Sequence, residues 1–311
     1  MNKLKISLVI AFSISLCLLF LFLNIQNTEP PSIQNTEPSS IQNTEPSSIQ
    51  NTESQKLPTK IIFIKTIGEL GSEPGQFDWP FGIDFFNEKL YVADTNNNRI
   101  QIFSKNLDLL SVIPLDITDS QGIAITDNLF FVTSTHYLIK SFDHTGDFIN
   151  QFSVTWTRDL VANENSVYVI EPLTESIQVY DHSGKLIDTF EGIFNLHFLN
   201  SNDKYLVASG SHKDKNNHEL IIIDKEKKII KQRFSTSPGT TTGSAITENN
   251  IFLLDAGILK IYDFNGNLLL EYFIETPGID SDLTKIKVND NNIYVLNTRG
   301  HYVQMLEIIY E

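Results

Sequence analysis

The sequence predicts an all-β fold, a six-bladed β-propeller of four-stranded antiparallel blades, preceded by one hydrophobic helix and a disordered stalk. Three observations predict it. A short strand centred on an aromatic or aliphatic residue recurs six times at near-constant spacing, and each copy lies in a larger unit with the same order of apolar strands and polar turns. The last unit also lacks a strand, while an unassigned strand stands at the start of the array.

The chain opens with Lys3 and Lys5, followed by Ile6–Leu23, 18 residues without a charge. That length suffices to cross a bilayer as a helix. Phe20-Leu21-Phe22-Leu23 leads straight into Asn24 with no small-residue cleavage pattern, so residues 1–23 read as an uncleaved signal-anchor. The preceding lysines place everything C-terminal to it outside the cell. The expectation is a membrane-anchored chain with an extracellular C-terminal domain, or a secreted one if the segment is cut. Cys17 is the only cysteine and lies inside this run after Leu16, a residue too large for a lipoprotein cleavage site. The remainder therefore has no disulfide, no thiol nucleophile and no thiolate zinc ligand.

Residues 24–58 are a stalk built on the octapeptide IQNTEPPS, IQNTEPSS, IQNTEPSS, IQNTES. It has almost nothing apolar to bury, so packing cannot offset its chain entropy. Proline in each full repeat favours extended conformations, which suits a spacer. The chain contains no Asn-x-Ser/Thr sequon.

Residues 59–311 hold the repeats. The recurring strands are Leu90-Tyr91-Val92, Phe130-Phe131-Val132, Val167-Tyr168-Val169, Tyr205-Leu206-Val207, Ile251-Phe252-Leu253 and Ile293-Tyr294-Val295, spaced by 40, 37, 38, 46 and 42 residues. An apolar strand and a polar turn precede each, and an alternating strand such as IQIF (100–103) or IQVY (177–180) follows. Period-two alternation bounded by Asn, Asp and Gly marks half-buried antiparallel strands. Turns such as Asp143-His144-Thr145-Gly146 and Asp181-His182-Ser183-Gly184 lead to a fourth strand, with Gly supplying positive φ. Four strands per unit of this length make one propeller blade. The sixth unit ends at Glu311 without a fourth strand, and Ile61–Ile67 is expected to supply it and close the ring.

The run IGELGSEPGQFDWPFGIDFFNEKLYVADTNNNRIQIF, residues 67–103, resembles the opening repeat of NHL-repeat proteins. The matching positions are Gly68, Gly71, Pro74-Gly75-Gln76-Phe77, Pro80, Gly82-Ile83, Tyr91–Thr95 and Asn97–Ile100. The other five units keep only the strand pattern and the D-x-x-G turn. The resemblance implies a propeller fold that serves binding modules, lyases with histidine-bound zinc and lactonases with channel-bound calcium alike.

Function was sought on the face formed by loops that enter first strands and loops that join second to third strands. Trp79, Arg99, His136, Trp156, Arg158, Asn297, Arg299 and His301 fall there as binding candidates, because Trp and Arg recur at recognition hot spots. Two readings compete for Arg99: a rim binding residue, or an internal brace paired with Asp94. Among histidines, His144 and His182 sit in outer hairpins, and His197 alone lies in a channel-lining strand. Asp84, Asn195 and Asp280 are the candidates for a calcium set, and His212, Asp214 and His218 sit in an enlarged loop at 211–220. No convergent set of three or four ligands is evident, so no metal or cofactor is expected.

Lys+Arg number 23 against 38 Asp+Glu, a formal charge of −15, which argues against nucleic-acid and anionic-lipid partners. Nucleophile elbows, phosphate loops and His-Glu-x-x-His are absent from the sequence. The expected function is binding of a protein, peptide or glycan on one rim, without catalysis. The alternative is an exported metal-dependent lyase or lactonase acting at the channel.

Overall fold

The computed structural model describes residues 56–311 apart from 118–119, 135–136, 156, 158, 172, 194–195, 212–217, 236–240, 256 and 277–282. The hydrophobic segment and the stalk lie outside the described residues. Among the described residues no helix is long and apolar enough to cross a membrane.

The described chain is all β. It begins with β1 (Pro58–Ile67) and then runs through blades of four strands. Blade one is β2 (Pro80–Phe86), β3 (Lys89–Asp94), β4 (Arg99–Ser104) and β5 (Leu109–Pro114). Blade two is β6 (Ile123–Ile125), β7 (Phe130–Ser134), β8 (Leu138–Phe142) and β9 (Phe148–Ser153). Blade three is β10 (Leu160–Ala162), β11 (Val167–Glu171), β12 (Ser176–Tyr180) and β13 (Leu186–Phe190). Blade four is β14 (Leu196–Ser201), β15 (Tyr205–Ser211), β16 (His218–Asp224) and β17 (Ile229–Ser235). Blade five is β18 (Thr241–Ile246), β19 (Ile251–Asp255), β20 (Ile258–Tyr262) and β21 (Leu268–Phe273). Blade six is β22 (Leu283–Asn289), β23 (Asn292–Asn297) and β24 (Tyr302–Tyr310). Its outer strand is β1, in the order β1-β24-β23-β22, with Phe63 opposite Leu306 and Ile67 opposite Val303.

Alternation along each second strand sends neighbouring side chains to opposite neighbouring blades. Val92 packs with Tyr294 and Leu296 of blade six, while Tyr91 and Ala93 pack with Ile123 and Phe130 of blade two. The same division recurs around the ring, so the core is six apolar seams rather than one centre. Each fully buried Ile, Leu or Phe contributes roughly 1.5–3 kcal/mol relative to exposure.

The polar residues at turns have defined work. Asp143 Oδ1 accepts from Thr145 N, Thr145 Oγ1 and Asp147 N, and Asp181 Oδ1 accepts from Ser183 N, Ser183 Oγ and Lys185 N. The next residue reaches back across its own blade. His144 Nε2 lies 3.0 Å from Thr126 O, His182 Nε2 lies 2.9 Å from Asn163 O, and Lys225 Nζ donates to Asn202 O at 2.6 Å. A carbonyl only accepts, so both imidazoles carry their proton on Nε2. These histidines tie the third-to-fourth turn to the first-to-second turn.

Candidate functional site

Two regions could carry function, the central channel and the rim. First strands line the channel. Asp84 on β2 accepts from Ile125 N of blade two at 2.8 Å and pairs with Lys287 of blade six at 2.9 Å. Asp159, just before β10, accepts from Leu199 N of blade four at 2.9 Å and pairs with Lys285 at 2.5 Å. Blades three and six stand opposite each other in a six-fold ring, so the Lys285–Asp159 pair spans the channel. Asn200 continues the series by donating to Ser244 O of blade five at 3.2 Å. These carboxylates are already matched by ammonium groups and inner-strand N–H groups. Asp84 is thus engaged where the calcium reading needed a ligand, and among the described residues no group of three or more His, Cys, Asp or Glu is arranged to hold a metal ion. Asn195, Asp280, His212 and Asp214 lie outside the described residues.

On the rim, Arg99 resolves as a brace. Its Nε donates to Asp94 Oδ2 at 2.7 Å, and its terminal nitrogens donate to Ser72 O, Glu73 O and Gln76 O at 2.6–2.9 Å. Three of its five N–H donors therefore hold the incoming loop, and a fourth binds Asp94 at the end of β3. Asp94, fully buried, also accepts from Asp78 N, Asn97 Nδ2 and Gln101 Nε2. Asn297 occupies the equivalent end of β23; its Nδ2 donates to Tyr302 Oη at 2.8 Å and its Oδ1 accepts from Gly300 N at 2.6 Å. Both residues are thus engaged within the protein, Arg99 by Asp94 and the incoming loop and Asn297 by the turn that follows it.

Trp79 precedes β2, and Arg299 and His301 lie between β23 and β24. The loop joining β23 to β24 lies against the entrance to β2, where Thr298 Oγ1 donates to Pro80 O at 2.7 Å. Trp79 N donates to His301 Nδ1 at 3.1 Å, and the indole meets the imidazole edge-on at 6.3 Å and the Phe81 ring at 6.0 Å. Trp79 is 39% exposed and Arg299 is exposed. Trp79 has φ of 50° and His301 φ of 56°, a left-handed backbone that a bulky side chain adopts only at a cost. With Nδ1 accepting, the neutral imidazole has Nε2–H as its remaining donor. The seam between the first and last blades thus carries an exposed indole, a second aromatic ring, an imidazole donor and a guanidinium. Phe81, in β2 two positions after Trp79, is the member that sequence reasoning overlooked. His136, Trp156 and Arg158 lie outside the described residues.

The NHL repeat family model matches residues 77–103, the end of the incoming loop and the first three strands of blade one. Protein brain tumor of Drosophila melanogaster is 27% identical over 157 residues, which cover 44% of this chain and 15% of that protein. The chain is a six-bladed β-propeller whose first blade matches the NHL repeat. Among solved structures, hydrazine synthase of Kuenenia stuttgartiensis is similar at a TM-score of 0.60 and 12% identity, over 84% of this chain and 80% of that one. Streptogramin B lyase is similar at 0.57 and 13% identity, over 79% and 98%. At such identities these likenesses describe the NHL-repeat propeller's fold alone, and the chain spans a small part of the brain tumor protein.

Proposed function

We propose that this propeller is a non-catalytic interaction module whose ligand, a protein, peptide or glycan, docks on the rim at Trp79, Phe81, Arg299 and His301. The observation that carries the reading is the exposed Trp79 held in a left-handed backbone by a hydrogen bond from its own N–H. A large apolar surface kept at a conformational cost is the usual mark of a recognition anchor rather than of a fold requirement. The ammonium and carboxylate groups paired across the channel favour this rim over a channel-based reaction. Under the same reading, residues 1–23 anchor the chain and residues 24–58 hold the propeller away from an outer membrane surface.

The test is a binding selection with the full chain, followed by Trp79→Ala. Loss of one truncation-sensitive aromatic anchor lowers affinity by about 2 kcal/mol, some thirtyfold. An unchanged affinity for every captured partner would overturn the assignment. Display is checked separately: protease added to intact cells should remove the propeller, and complete protection would contradict it.

A further inference from the structure

The face opposite that rim carries a feature that net charge concealed. The turn between β14 and β15 brings Asn202-Asp203-Lys204-Tyr205 beside Lys231 of the outer strand β17 and Phe264 of blade five. Lys231 Nζ donates to Tyr205 Oη at 3.2 Å and stands 4.6 Å from the centre of the Tyr205 ring, while Lys204 Nζ stands 5.1 Å from that centre. The Phe264 ring lies 5.2 Å from Tyr205 and equally 5.2 Å from Lys231 Nζ, and Gln232 Nε2 ties the two blades by donating to Asn265 O at 2.9 Å. The phenol is therefore fixed on both sides, by aromatic packing below and by strand pairing of Tyr205 with Asp224.

Among the described residues many cations pair with carboxylates, as Lys228 does with Asp188 and Lys105 with Glu88. Lys204 and Lys231 are exposed, and among the described residues neither stands within ion-pair distance of a carboxylate. The charged neighbours are Asp203 and Glu226 in the flanking turns, Asp224 beneath, and Lys225, whose Nζ is committed to Asn202 O. Two ammonium groups thus share one hydroxyl, and each attracts negative charge while repelling the other. The hydrogen bond from Lys231 holds the Tyr205 phenol below its ordinary pKa. Because its oxygen accepts from Lys231, the Tyr205 proton is left to point outward as a donor.

We propose that Lys204, Tyr205 and Lys231 form an oxyanion site that takes a tetrahedral phosphate or sulfate group, as a free ion or as the ester end of a small molecule. Two ammonium groups and a phenolic O–H give three convergent donors, which match the oxygens of one tetrahedral group better than the two of a carboxylate. The site lies on the face away from Trp79 and is independent of the rim reading.

The test is calorimetric titration of the full chain at low salt with inorganic phosphate, inorganic sulfate, glucose 6-phosphate and glucose 6-sulfate. Binding of at least one probe is expected, and comparing free ions with esters assigns the source. Lys204→Met and Lys231→Met should each weaken binding by about tenfold or more, the value of a charge-assisted hydrogen bond. Tyr205→Phe keeps the ring packing and should weaken it several-fold. Lys185→Met, at an exposed turn of blade three, changes net charge equally and should leave affinity unaltered. Failure of all four probes to bind overturns the proposal, and so does an equal loss in Lys185→Met, which would mean a diffuse charge effect.

Discussion

At the scale of single residues, identical side-chain types part company according to what the hairpin lets them reach. Arg99 opens β4 and Arg299 lies on the loop before β24, and Arg99 bridges a carboxylate and three carbonyls of its own chain. Lysine cannot reproduce that planar fork. Arg99→Lys should therefore destabilise the propeller by about 2 kcal/mol and Arg99→Met by about 3 kcal/mol, since the latter leaves buried Asp94 without its countercharge. Chemical denaturation midpoints check both. The rim was half legible in advance. Trp79, Arg299 and His301 could be placed on one face from strand alternation, but that Trp79 and His301 touch across 222 residues depends on the two ends of the array meeting. The Asp94 brace was one of two readings open for Arg99, whereas the turn contacts of Asn297 depend on side-chain direction that residue type alone does not give.

At the scale of elements, the turns respond to acid and the tyrosines to alkali. The Thr145 hydroxyl, with the N–H groups of Asp147 and Thr145, holds the Asp143 carboxyl below the usual carboxylate range, and the Ser183 hydroxyl with Lys185 N does the same for Asp181. A depressed folded pKa stabilises above the unfolded value, about 3.9, and that contribution is lost as pH falls through the folded value. Melting temperature should therefore drop below about pH 4, and less steeply in Asp143→Asn/Asp181→Asn, whose amide oxygens accept at any pH. Burial pushes the Tyr180, Tyr262 and Tyr294 phenols up to about 12. Folding there favours the neutral form, so stability is complete below about pH 10 and declines as pH rises towards the folded value. Near-ultraviolet absorbance of phenolate during an alkaline titration should show these three ionising after the exposed tyrosines. Strand number and turn chemistry were readable because they are local. Alternation spans five or six residues, and an Asp-x-x-Gly turn carries its own acceptors and its own positive φ.

Across the whole molecule, the blades are linked through the channel as well as through their seams. Lys285 and Asp159 are 126 residues apart, and their side chains are only 12% and 10% exposed. Lys285→Met should cost about 3 kcal/mol by leaving Asp159 charged and unmatched, and adding Asp159→Asn should recover part of it. A thermal melt of the single and double variants decides this. Such a link was not readable from the sequence, since reach across a channel depends on the ring's diameter. The lysines on β22 looked like the polar half of an ordinary alternating strand. The Lys204–Tyr205–Lys231 cluster escaped for a related reason, because a formal charge of −15 averages over every face.

The sixth sheet, drawn from the first and last described strands, also sets a timetable for biosynthesis. Pro58–Ile67 leaves the ribosome well before Tyr302–Tyr310, the strand it pairs with. At roughly 5–20 residues per second, the interval is tens of seconds. Throughout it IIFIKTI is an unpaired apolar strand, the kind of segment that seeks edges on other chains. Nascent chains on crowded polysomes should thus be most prone to aggregate in this window, and a holding chaperone should be recovered with chains truncated before Tyr302 more than with finished ones. Pull-down of staged, stalled chains would measure that difference directly.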